Sequence, residues 1–114
     1  VSREQRITDF HQANAIQVDA LTELRKRFRE DGMDEEARMV DRSVVELQLP
    51  GEPAERVRRA IPHIKALRVR MGEIGEPVLA QAVENVKRVL TRYADDTLTD
   101  TQEIDVDEMG FRKK

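Results

Sequence analysis

A chain of 114 residues can build one modest hydrophobic core and is too short for two. With 38% Asp, Glu, Lys and Arg against 39% hydrophobic residues, three Phe, one Tyr and no Trp, that core has to be aliphatic and thin, which leaves oligomerisation as a way to complete burial. A net charge of −3 gives no field strong enough to point to nucleic acid or membrane, and the absence of cysteine excludes a disulfide framework, a thiolate zinc site and a cysteine nucleophile. No apolar run approaches the roughly 18 residues of a membrane span and no signal-peptide core is visible, so a cytoplasmic protein with no membrane partner is expected.

From Ser2 to about Asp31 neither proline nor glycine interrupts the chain, and Ile7, Phe10, Asn14, Val18, Leu21, Leu24 and Phe28 recur at steps of three and four. The spacing predicts one long amphipathic helix. Its last turns carry Arg25, Lys26, Arg27 and Arg29, where the helix dipole favours positive charge, and Gly32 is a natural stop. Asp34 can cap a second helix, with Ala37, Val40, Val44 and Leu47 as its apolar stripe and Pro50-Gly51-Glu52-Pro53 as its end. A third helix runs from about Ala54 to Met71, with Val57, Ile61, Ile64, Leu67 and Met71 on one face. Pro62 lies inside it and predicts a kink near Ala60 or a break there.

Gly72 and Gly75 open the next connection, Pro77 suits a first helical turn, and Leu79, Val83, Val86, Leu90 and Tyr93 form a fourth stripe that is expected to end near Ala94. Residues 95–111 then carry seven acidic groups and no basic one, and Glu103-Ile104-Asp105-Val106-Asp107 alternates with the period of a strand. The expected fold is all-α: a small antiparallel helical bundle of two hairpins over residues 1–94, followed by an acidic extended tail over 95–114. Offsetting the chain by 43 residues aligns Leu24–Gly32 with Leu67–Gly75 and matches eight of the thirty positions from Val18 to Leu47, as a duplicated hairpin would.

Nothing in the chain has the spacing of a catalytic or metal motif. His11 and His63 lie on different predicted helices, and neither a His-Glu-x-x-His signature, a phosphate-binding glycine loop nor a Gly-x-Ser-x-Gly elbow occurs. Asp105-Val106-Asp107-Glu108 has the oxygen ligands that calcium prefers but lacks the spacing and central glycine of a calcium loop. No enzyme activity, metal or cofactor is therefore expected.

Two surfaces remain. The first helix offers more apolar stripe than a helix half its length can cover, so Ile7, Phe10 and Asn14, with Gln17 as a further polar register position, are candidate contacts for the rest of the chain, a second copy or another protein. Leu98, Ile104, Val106, Met109 and Phe111 of the acidic tail are candidate contacts for a partner's groove or sheet edge. The alternative is a nucleic-acid-binding face on Arg56, Arg59, Arg68 and Arg70, flanked by Arg88, since residues 56–70 contain six basic groups and no acidic one. No aromatic is interleaved there for base stacking, and the arginines can equally pair with neighbouring carboxylates or receive the acidic tail. A non-enzymatic interaction or assembly protein, a homo-oligomer or the small subunit of a larger complex, is the leading expectation.

Overall fold

A computed structural model of the chain describes residues 2–106, and side chains as far as residue 98. It contains four α-helices: α1 Arg3–Glu30, α2 Asp34–Gln48, α3 Pro53–Glu73 and α4 Pro77–Val106. No strand occurs among the described residues. α2 packs against α1 and α3, α3 against α4, and α4 returns to α1, closing a four-helix bundle.

Each helix begins and ends for a local reason. The Ser2 hydroxyl accepts a hydrogen bond from the Gln5 N–H at 3.1 Å and caps α1. At the other end Gly32 takes the left-handed conformation, φ 75°, and the Met33 and Gly32 N–H groups donate back to Phe28 and Arg29. This paired closure satisfies carbonyls that the helix end would leave open. It recurs 43 residues later, where Gly75 has φ 77° and Glu76 and Gly75 donate to Met71 and Gly72. Asp34 does not cap α2: it is the first helical residue, Met33 occupies the cap position, and no side chain caps there. Because the Met33 N–H is already tied to Phe28, the chain passes directly from one helix to the next, and Asp34, Glu35 and Glu36 act as first-turn charges instead.

Two further sequence expectations differ from the structure. Of the two outcomes expected at Pro62, a kink near Ala60 or a break, the break does not occur: α3 is helical throughout Pro53–Glu73. Pro62 and Arg58 are both exposed, so the carbonyl that loses its N–H donor is open to water and the helix tolerates the gap. Nor does α4 stop near Ala94: it runs on to Val106, so the stretch read as extended tail is helical that far, while Met109 and Phe111 lie outside the described residues. No proline or glycine interrupts the chain between Pro77 and Gly110, and the helix continues alongside the N-terminal half of α1, where Thr97 is buried and Arg6 Nη1 donates to the Asp96 carbonyl at 3.3 Å.

The core is aliphatic with two phenylalanines. Phe10, Leu21 and Phe28 of α1 meet Val40 and Leu47 of α2, Ile64, Leu67 and Met71 of α3, and Val83 and Leu90 of α4. Among the described residues four polar side chains are buried with them: Asn14, Glu36, Ser43 and Thr97. Asn14, 7% exposed, donates through Nδ2 to the Leu47 carbonyl at 3.4 Å, while its buried Oδ1 has no hydrogen-bond partner. The Leu47 carbonyl also accepts from Arg56 Nε at 3.1 Å and keeps that bond without Asn14.

Two stability measurements test this packing. Leu47→Ala and Leu90→Ala, at corresponding positions of the two halves and both fully buried, should each destabilise the fold by about 2–5 kcal/mol in urea unfolding. Asn14→Val should instead stabilise it by about 1 kcal/mol, because it removes an unsatisfied buried oxygen and orphans no partner.

Candidate interaction surface

The sequence-predicted residues separate into those consumed by the fold and those left outside. Phe10 is fully buried and Asn14 nearly so, and Ile7 is half-buried on the same side of α1. These residues close the bundle itself. Leu98, 43% exposed, stands at the edge of a small depression with Ile61 and Arg58 between α3 and α4. Ile104 and Val106 belong to the last turns of α4.

Most of the basic stretch is not a free cationic face, because Arg56, Arg59, Arg68 and Arg70 are engaged by neighbouring groups of the bundle. Arg59 sits on the C-terminal end of α2, where Nη2 donates to the carbonyls of Glu46, Leu49 and Pro50 at 3.2, 3.1 and 3.3 Å and the guanidinium lies 3.2 Å from the Glu46 carboxylate. Arg56 and Arg59 thus satisfy carbonyls that the end of α2 exposes. Arg70 joins α3 to the start of α2 through Glu36 at 2.7 Å, with Glu73 also near at 3.6 Å. Glu84 of α4 gathers Arg68, Lys87 and Arg88 at 3.3, 3.2 and 3.5 Å. The Arg68–Glu84 pair repeats, 43 residues on, the Arg25–Asp41 pair at 2.9 Å between α1 and α2. Among the described residues Arg58 and Lys65 have no ion pair.

The surface left open is the seam between α1 and α4, which sequence reading did not single out. Its larger part is a groove of about 620 Å³ whose floor is formed by the core residues Leu21, Val83 and Val86, with Ala20, Leu24, Ala82 and Val89 along its walls and Glu23 and Arg27 at its rim. The groove continues toward the N-terminus of α1 past Ala13, Ile16 and Gln17, facing Val89 and Tyr93, with Asp9 at the end. Alanines at 13, 20 and 82 keep the walls low, so the core is covered thinly along this line. Ile16 projects from it with 63% of its surface exposed. The one signal in the sequence is the second stripe on α1, offset from the core stripe and disguised by its alanines and charged ends.

Among the described residues no group of three or more His, Cys, Asp or Glu side chains is placed to hold a metal ion, and no helix is long and apolar enough to cross a membrane. His11 is exposed and meets Phe10 edge-on, with ring centroids 5.8 Å apart. No family model, curated protein or solved structure matches the chain.

Two carboxylates give the bundle a pH dependence. The hydrogen bond from Arg70, then one from backbone N–H and the Arg70 charge, hold Glu36 below the usual carboxylate range against the opposing effect of burial. Glu84 is lowered first by the hydrogen bond from Lys87 and then by the charges of Lys87, Arg68 and Arg88. Because the folded state binds these two protons less readily than the unfolded chain, both groups contribute stability at pH values above about 4.3, the ordinary Glu pKa, and that contribution is lost as the pH falls through the lower folded values. In denaturant titrations across pH 7 to 3, Glu36→Gln should lower stability at pH 7 and flatten the acid limb; an unchanged acid limb would mean that the Arg70 contact contributes nothing.

Proposed function

We propose that this chain is a non-enzymatic interaction or assembly protein, working as a homo-oligomer or as a small subunit of a larger complex in the cytoplasm. The observation that carries the reading is the α1/α4 seam: an apolar groove floored by core residues and continued toward the N-terminus of α1 by a depression at which Ile16 is 63% exposed. Contiguous apolar surface of this kind marks a place where another surface seats. Burying an isoleucine is worth about 1.5–3 kcal/mol, and a groove between two helices suits the apolar face of further helices. The thin core points the same way, since a chain with so few aromatics gains from burial beyond its own fold.

The alternative, nucleic-acid binding through Arg56, Arg59, Arg68, Arg70 and Arg88, draws less support. Each of the five already hydrogen-bonds or pairs within the bundle, so a phosphate backbone would have to displace those contacts.

The reading is tested by isolating the tagged full chain from its native cells and determining both the composition and the mass of what is recovered. It expects a stoichiometric assembly, with itself or with another protein, that Ile16→Glu disperses while the helical signal is unchanged. Recovery of a bare monomer, or an assembly indifferent to Ile16→Glu, would refute it.

A further inference from the structure

The seam is complementary to itself, and from this we infer its occupant: a second copy of this chain, turned about a two-fold axis perpendicular to the helices, with α1 on α1 and α4 on α4, each antiparallel. The inference rests on the interaction reading above and names the partner.

Of the α1 residues that line the seam, Asp9, Ala13, Ile16, Ala20, Glu23 and Arg27 form one stripe. They are spaced by four, three, four, three and four, the repeat by which one helix lies along another. Reversed onto itself about the level of Val18, this stripe sets Asp9 against Arg27 of the second copy, Ile16 against Ala20, and Ala13 against Glu23. The projecting isoleucine thus meets the low wall of the groove, and opposite charges meet at both ends. Neither Asp9 nor Arg27 has an ion pair within its own chain among the described residues.

On α4 the seam residues Ala82, Val86, Val89 and Tyr93 are spaced by four, three and four. Reversed about the midpoint of Lys87 and Arg88, they place Tyr93 over Ala82 and Val86 over Val89, again large on small at the ends.

The two reversals share an axis, as stripes lining one groove from both sides must if a single two-fold is to serve them. α1 and α4 are antiparallel, with Ala13 beside Tyr93 on one part of the seam and Leu24 and Ala82 on the other, so Val18 stands level with Arg88 to within about one turn. A single two-fold therefore serves both helices and exchanges the shallower end of the groove, with its projecting Ile16 and Tyr93, for the wider end walled by Ala20 and Ala82.

Sedimentation equilibrium of the full chain at low salt tests this, with charge reversal as the probe of register. The wild-type chain should be a dimer. Asp9→Arg and Arg27→Asp should each weaken dimerisation about tenfold, since each sets like charges together at two symmetric points, and the double variant D9R/R27D should return to within about threefold of wild type. Both sites are on the surface of α1, and circular dichroism should show the helices intact. The chain has no cysteine, so D9C/R27C can be oxidised as a clean second probe: it should cross-link copies, whereas D9C alone should not, its two sulfurs being separated by about 27 Å along the paired helices. Three results would overturn the inference: a monomer at every concentration, a dimer whose charge reversals do not compensate, or cross-linking by D9C alone as efficient as by the double variant. A monomer that nevertheless holds a different protein through Ile16 overturns the second copy as occupant and leaves the interaction reading standing; a monomer that holds none removes both.

Discussion

The structure depends on covering the apolar stripe of α1 over its whole length. α1 has 28 residues, α2 only 15 and α3 21, so the N-terminal turns of α1 pass beyond what α2 can bury. α4, with 30 residues, is the element long enough to match it. Burial of Phe10, worth about 1.5–3 kcal/mol, and of Thr97 occurs where both long helices extend together. α4 lies against the N-terminal turns of α1 at Asp96 and Thr97, and its helix continues to Val106.

The interior is organised by a unit used twice. Helix end, left-handed glycine, second helix and cross-helix ion pair recur at an interval of 43 residues in Gly32 and Gly75, Arg25–Asp41 and Arg68–Glu84. The polar contacts work mainly at helix ends and between helices. Arg56 and Arg59 close the carbonyls of α2, and Arg70 ties α3 to the first turn of α2 at Glu36. A basic run that looks from sequence like a cationic face is in this way largely spent on structure.

Much of this was legible in the sequence because helices of this kind announce themselves by period and punctuation. Phe10, Val18, Leu21 and Phe28 mark one buried face, and Gly32, Pro53 and Gly75 mark the boundaries. The failures share a cause: local pattern was read where a tertiary neighbour decides. Glu103 to Asp107 alternates like a strand, but α4 is helical to Val106; Pro62 reads as a kink or a break, and the helix is not broken there; Asp34 reads as a cap, but the glycine turn before it had already set the geometry. Of the candidate contacts, Phe10 and Asn14 turned inward, whereas the seam around Ile16 was hidden by a stripe of alanines and charges that no apolar pattern reveals.

The bundle therefore satisfies its own core while leaving the α1/α4 seam uncovered, the line on which self-pairing is proposed. Orientation is its central claim, and distance measurement between spin labels addresses it directly. Labels on Asp19→Cys, near the proposed axis, should lie close together in the assembled protein. Labels on Glu30→Cys, 12 residues from the centre on each copy, should be separated by about 36 Å along the helices. Two equally short distances would mean parallel copies, and the absence of any dipolar coupling would mean no second copy on the seam; either result contradicts the account.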